Sequence, residues 1–459
     1  MKKLLFLTLL LTMLFLGAVS AEAANHYVRA GASGSANGAD WTDAYTSLPA
    51  SLVRGDTYYI ADGTYPCRTF NTPVNGTSII TIKKATVADH GIATGWLDTY
   101  GVGDALFFSS GSECLAFDTD YWIFDGVVGG GPGSWKTGHG FRIDAAVDNA
   151  SGTTALIKFN YGGGGNIDHV EILHTAAARV NFGGGNICDA GTCPAIAYAQ
   201  NLSDSRFAYD YFHETDSFAA IRGDGWNRVT IEYTMFENIN RKEVLACSGN
   251  CQNLTIRWNY FKNVAGTGHI VATTAGDTSP VTNWLIYGNI LYNTSSTWFL
   301  NDCVWCTNIG HGQSSSGVLI YNNTLVNIYG TAFGTANMEK CTGCQARNNL
   351  FYTTTGWDYS YSSNFNKDLD WCSPSANCSD IAAEANKQAG TGNPFVNLVG
   401  EDFHLTAATN AGQTLPAPYN VDMFGNVRGA DGVWDRGAFE FGSGSSNPPP
   451  LAPTGLKIL

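Results

Sequence analysis

Apolar residues recur at every second position over short runs through the middle of the chain, and the runs come in pairs. In NLTIRWNYFKNV, which starts at Asn253, Leu254, Ile256 and Trp258 alternate with polar residues, a polar position follows, and a second apolar run begins at Tyr260. Alternation at period two predicts strands with one buried face, and no helix-period stripe runs through this part. The pattern returns in DSRFAYDYFHET from Asp204, RVTIEYTMFENI from Arg228, NWLIYGNILYNT from Asn283, GVLIYNNTLVNI from Gly317 and GCQARNNLFYTT from Gly343. Self-similarity at about 25 residues with variable insertions predicts a solenoid, in which each unit supplies a few short strands and stacks on the next. Despite its length the chain therefore reads as one repeat-built domain.

The seventh place of these segments holds Asp210, Thr234, Asn259, Asn289, Asn323 and Asn349. In stacked coils these residues fall one above another at the same bend, about 4.8 Å apart. A column of amides hands hydrogen bonds from coil to coil and satisfies backbone groups that the bend leaves unpaired. The column is read as structural, with Asp210 and Thr234 as its irregular start.

At this point the chain resembles the right-handed parallel β-helix family of pectate lyases and related polysaccharide-active proteins. Its ends add to the resemblance. HYVRAGASGSANGADWTDAYTSLPASLVRGDTYYIADGTY, from His26 to Tyr65, is similar to the opening of bacterial members, in which W-x-x-A-Y starts a short capping helix. NPFVNLVGEDFHLT, from Asn393, and DMFGNVRGADGVWDRGAFEF, from Asp422, are similar to closing segments. The fold implied is all-β, a right-handed parallel β-helix solenoid with a short N-terminal capping helix. Residues 147–166 and 357–392 fit the coil poorly and read as loops.

The first 23 residues carry two lysines, an apolar run from Leu4 to Val19 and an A-x-A pattern at Ala21 and Ala23, which reads as a secretory signal peptide. No other stretch offers the ~18 consecutive apolar residues of a membrane helix, so no span is expected in the mature chain, which reads as a monomer. The β-helix is placed at 24–442. Residues 443–459, SGSSNPPPLAPTGLKIL, form a Ser/Pro-rich linker whose end resembles the first strand of a fibronectin type III-like module cut short. Twelve cysteines in an exported chain read as disulfides. Close spacing suggests 188 with 193, 247 with 251, 303 with 306, 341 with 344 and 372 with 378, leaving Cys67 to Cys114; a zinc site from the two C-x2-C pairs is the alternative. A formal charge of −14 leaves no basic stripe for nucleic acid. The GGG and GGGG runs lack the G-K-S/T of a phosphate loop and read as turns.

A solenoid buries its inward residues, so chemistry must sit outside. Counting back from the aligned runs places Phe218, Glu243, His269 and Trp298 in one outward column and Arg222, Cys247, Thr273 and Asp302 in another, with Val244, Ile270 and Phe299 inside. Nearby turns add His213, Glu214, Asp216, Arg241 and Lys242 in a chain that is only 14% charged. Each alone reads as a solvated turn residue; the grouping suggests a site. The resemblance implies β-elimination from an acidic polysaccharide, which needs a neutralised uronate carboxylate and a base for the adjacent proton. On that reading Lys242 or Arg241 is the base, Arg222 clamps the carboxylate and His269 completes the catalytic set. Trp298, His213 and Glu214 contact substrate, and Asp216, Glu243 and Asp302 hold Ca²⁺. No catalytic motif of that family is present, so these roles rest on placement. Two alternatives stand beside it. One is glycoside hydrolysis, for which Glu214 or Asp216 lies about one rung from Glu243. The other is a non-catalytic adhesin using Trp226, Trp258, Trp298 and Trp305 as sugar platforms.

Overall fold

The computed structural model describes residues 23–111, 113–145, 155–160, 165–178, 195–215, 219–239, 243–264, 269–273, 281–294, 298–302, 316–328, 333–334, 342–354, 366–374, 381 and 384–442. Residues 1–22 and the tail from 443 lie outside this set, so the expected signal peptide at 1–23 falls almost wholly beyond it.

Three parallel sheets run the length of the molecule. Sheet I begins with Asn25–Val28 and ends with Asn366–Asp368; sheet II runs from Gly63–Pro66 to Gln388–Ala389; sheet III runs from Arg68–Phe70 to Phe333–Gly334. Each coil visits them in turn, as in Arg206–Ala208, Tyr211–Thr215 and Ala219–Asp224, before Thr230–Glu232 starts the next. Every strand of these sheets pairs in parallel with the strand one coil away. This is a parallel β-helix, and parallel strands joined by such crossovers wind in a right-handed sense.

Inward residues keep the same place from coil to coil, so like side chains stack. Phe212, Phe236 and Phe261 follow one another at centroid spacings of 5.8 and 5.1 Å, and Phe70, Phe117 and Phe159 at 4.7 and 5.3 Å. These distances match the rung spacing, so aromatic overlap accompanies each ladder of backbone bonds.

The seventh-place column forms as the sequence predicts. Backbone N–H groups of Thr234, Asn259, Asn289 and Asn323 donate to Oδ1 of Asn259, Asn289, Asn323 and Asn349 at 3.0–3.1 Å. The column reaches further, because the Asn349 amide donates to Asp370 Oδ1 at 2.7 Å and the Asp370 amide donates to Glu384 Oε2 at 3.1 Å. Further asparagine ladders arise at bends with left-handed backbone, which asparagine tolerates better than most side chains. Asn253 donates to Asn227, Asn283 to Asn253, and Asn327 to Asn293.

Three expectations change. Trp41 to Tyr45 caps the coil without a helix: Asp40 Oδ1 accepts from the backbone of Thr42 and Asp43 in a tight turn, and Trp41 is buried against Tyr27 and Trp96. The regions read as loops each contribute strands, Ala155–Phe159 in sheet III and Asn366–Asp368 and Trp371–Ser373 in sheets I and II. Cys344 is a half-cystine, which removes its thiolate from the alternative zinc set. Cys67–Cys114 and Cys247–Cys251 are bonded as expected, and Cys372 is a half-cystine whose partner, like that of Cys344, lies outside the described residues. These bridges fit an extracellular protein. Among the described residues no helix is long and apolar enough to cross a membrane.

From Pro394 onwards the chain leaves the coil and folds back over it. The antiparallel pair Phe395–Asn397 and Asp402–Leu405 lies against Tyr260, Tyr292 and Tyr352, and Tyr419 packs edge-on against Tyr287 and Tyr321. A second apolar cluster, outside the coil, results.

Candidate functional site

The predicted site residues divide between two sheets. His213 and Glu214 belong to Tyr211–Thr215 in sheet II, whereas Arg222, Glu243, His269, Trp298 and Asp302 belong to sheet III. Asp216, Arg241 and Lys242 lie outside the described residues. Glu243, His269 and Trp298 do share a register column, headed by Ala219 in place of Phe218. Arg222 stands opposite Ala246, one residue off its predicted column with Cys247, and its guanidinium lies 5.9 Å from the Tyr198 ring. Glu243 is 7% exposed. Asp302 aligns with Thr273, four residues along the strand from the Glu243 column. That offset is about 13 Å, before adding the two rungs between the coils, and exceeds what two oxygen ligands of one cation span.

Two of the tryptophans proposed as sugar platforms are covered. Trp226 is in the main core and donates to the Ala199 carbonyl at 2.9 Å, and Trp258 packs at a tilt against Tyr233 in the outer cluster. Trp298 has only its strand position described, and Trp305 lies outside the described residues.

An acidic group with metal-like spacing occurs elsewhere, at Asp168, His169 and Asp204, on the turns that lead into sheet I. Its fit to Ca²⁺ is poor. One of the three ligands is an imidazole, and Arg228 holds both oxygens of Asp204 at 2.5 Å. No chemical step is routed through it.

The outward face of sheet II carries a row the alternation did not single out. His213, Glu237 and Lys262 are in register, followed by Tyr292. These are the tenth places of their segments, so the row is visible in the sequence as a charged or polar position closing the second apolar run of the first three. Two distant segments add to it. Lys136 Nζ reaches Glu237 Oε1 at 2.5 Å, and the Tyr211 hydroxyl donates to Glu237 Oε2 at 2.6 Å. Lys262 bridges Glu237, at 3.5 Å, and Glu401, while Tyr260 donates to Glu401 Oε2 at 2.8 Å.

Burial alone would raise the Glu237 carboxyl, but the Lys136 and Tyr211 hydrogen bonds and two ammonium charges outweigh it and hold it below its usual range. Burial would likewise lower Lys262, and the bonds and charges of Glu401 and Glu237 reverse that. Both groups therefore stay ionised at neutral pH. Their role is to pin two walls onto the sheet.

Between those walls lies a cleft of about 430 Å³, lined by Trp135, Lys136 and Thr137 on one side and Glu401 to His404 with Phe424 and Phe439 on the other, over Tyr260 and Met235. Lys136 keeps 40% of its side chain exposed. At the opposite wall His404 Nδ1 lies 2.6 Å from Asp402 Oδ1, and the imidazole packs against Phe424 and Phe439, at 5.2 and 4.6 Å, which also touch each other at 5.8 Å. His404 Nε2 is buried and makes no hydrogen bond. The cleft thus offers aromatic faces and a part-exposed lysine, Lys136, whose ammonium is paired with Glu237.

No protein-family profile and no curated protein sequence matches the chain. Solved structures similar in overall course include the pectate lyase Pel9A, at 14% identity and a TM-score of 0.46 over 92% of this chain and 97% of that one. A PL6 family polysaccharide lyase from Pseudopedobacter saltans has 12% identity and a TM-score of 0.33 over 74% and 88%. PfbA, a surface adhesin of Streptococcus pneumoniae, has 10% identity and a TM-score of 0.24 over 69% and 82%. The class defined by the sheet topology is the parallel β-helix; the chemistry rests on the residues of the cleft.

Proposed function

We propose that this is an exported carbohydrate-active protein that binds an acidic extracellular polysaccharide in the cleft above sheet II and cleaves it by β-elimination. The observation that carries the reading is the pairing, in one cleft, of aromatic faces at Trp135 and Phe424 with the Lys136 side chain, which is 40% exposed and paired with Glu237. Sugar rings present C–H faces that stack on aromatic rings, and an ammonium answers a uronate carboxylate. Neutralising that carboxylate is what makes the neighbouring C–H proton removable. Lys242 and Arg241, outside the described residues, remain proposed contributors to the base.

Hydrolysis is less well supported. Glu237 and Glu401 both contact Lys262, which places two carboxylates close together, but Glu237 is held ionised and has no proton to give a leaving group. Binding without cleavage is favoured by the aromatic lining alone, and the same experiment distinguishes it.

Ultraviolet absorbance of unsaturated uronate product should be followed with a panel of uronate polymers, with and without Ca²⁺, for the wild type, Lys136→Ala and Lys242→Ala. Elimination in this cleft is supported if product forms and Lys136→Ala lowers kcat/KM by at least about tenfold, the loss of one charge-assisted contact in the transition state. Polymer binding with no product and no new reducing ends would leave an adhesin.

A further inference from the structure

We infer that Asp402 selects the sugar beside the bound uronate, and that the substrate is a polymer in which each uronate alternates with a sugar that carries no carboxylate. This rests on the cleft being the polysaccharide site, and narrows the class of polymer it takes. Three observations converge on it.

The first is which charges a ligand in the cleft can touch. Lys136, Glu401, Asp402 and His404 line it, with Glu237 and Lys262 beneath. Glu237 is 6% exposed, and its two oxygens are held by Lys136 and the Tyr211 hydroxyl. Lys262 is bridged between Glu237 and Glu401, and Glu401 gives one oxygen to Lys262 and the other to the Tyr260 hydroxyl. Lys136 and Asp402 remain, on opposite walls, each with 40% of its side chain exposed. The bond to Glu237 uses one of the three N–H groups of the Lys136 ammonium, so others can turn to a ligand. Asp402 Oδ1 accepts from the His404 backbone at 3.1 Å and lies 2.6 Å from its Nδ1, while Oδ2 makes no hydrogen bond to a described residue. Those contacts, and pairing opposite Asn397 in the hairpin, hold the carboxylate in place.

The second is charge balance. Lys136 and Lys262 are matched by Glu237 and Glu401, whereas Asp402 has no lysine or arginine partner among the described residues. The whole chain carries a formal charge of −14. The field at this wall therefore opposes a polymer that is negative at every ring.

The third is size. A cleft of about 430 Å³ takes a ligand the bulk of about two sugar rings. With one carboxylate on Lys136, the neighbouring ring lies against the wall that carries Asp402. A second carboxylate there meets a fixed negative charge, whereas hydroxyl or amide N–H groups find an acceptor.

The test uses the full chain at about pH 8, where an ordinary imidazole is uncharged. Two polymers of matched length are compared, one a homopolymer of uronates and the other alternating a uronate with an uncharged sugar. Calorimetric titration gives affinity, and kcat/KM is added where a polymer is cleaved. The wild type should favour the alternating polymer by at least about tenfold, counted per uronate. Asp402→Asn keeps an oxygen for the His404 amide and removes the charge. It should bring that preference below about threefold, chiefly by tighter binding of the homopolymer. A purely structural Asp402 would move both polymers together and leave their ratio as it was, which overturns the assignment. Equal or tighter binding of the homopolymer by the wild type also overturns it, and leaves the cleft as the site if Lys136→Ala weakens both polymers. A wild type that binds neither polymer overturns this inference and the reading beneath it. Thermal melting reports whether Asp402→Asn folds; if it melts early, the wild-type preference alone decides.

Discussion

At the scale of single residues, the asparagine column shows how one side chain serves two coils at once. Asn259 Oδ1 accepts the Thr234 amide while its Nδ2 donates to the Ile231 carbonyl at 2.8 Å and to Asn289 Oδ1 at 3.1 Å. Asp210 holds the same place with a carboxyl. Its Oδ1 accepts from the Thr175 amide at 2.9 Å, but Oδ2 is buried and unpartnered, and burial raises its pKa well above the ordinary aspartate range. A carboxyl raised on folding contributes its full stability below the unfolded pKa and loses it as pH climbs towards the folded value. An amide has no such dependence and offers Nδ2 as a donor in place of the idle oxygen. Asp210→Asn should therefore stabilise the protein by about 1–3 kcal/mol near neutral pH, with the gain shrinking in acid. Urea unfolding at several pH values measures this, and a difference that stays constant with pH would show that the carboxyl is not buried in its neutral form.

At the scale of elements, the inner columns were legible because period two is a local signal and one buried face enforces it. Ile231, Ile256, Ile286 and Ile320 point inward from sheet I as their spacing predicts. The outer face was less legible. The register of Ala219–Asp224 slips by one residue against the predicted columns, since a turn of uncounted length precedes it and nothing apolar fixes an outward position. The tenth-place row of His213, Glu237 and Lys262 was readable in the segments, yet its meaning depends on Lys136 and Glu401, which arrive from more than a hundred residues away. No local pattern announces such partners.

The loop that brings Lys136 has its own requirement. Gly130 sits at φ +77°, and a Cβ there would meet the Tyr209 carbonyl oxygen at 1.9 Å. Gly130→Ala should displace this wall at a cost of about 1–3 kcal/mol while leaving the coil intact. The expected outcome is at least a tenfold loss of polymer affinity by calorimetric titration, with far-ultraviolet circular dichroism unchanged; full affinity would mean that this wall does not contact the sugar.

At the scale of the whole molecule, the coil is held by the same parallel ladder from end to end, and its returning C-terminal segment covers apolar surface that a bare solenoid would expose. Tyr287, Tyr321, Leu350 and Trp371 are buried there against Phe395, Phe403, Leu415 and Tyr419. Ending the chain at 393 should uncover this face. The shortened protein should bind a hydrophobic dye strongly and self-associate, whereas the full chain should do neither. A shortened chain that stays monomeric and dye-free would show that the segment contributes little to covering the coil.

The cleft walls lie at residues 132–137 and 400–404, far apart in the chain. Synthesis supplies the rungs in chain order, so the residues of the floor and the first wall are present before those of the second. A chain made only as far as the coil therefore has no cleft. It acquires one when residues 400–404 fold back over sheet II, so the cleft is among the later features of the fold to form.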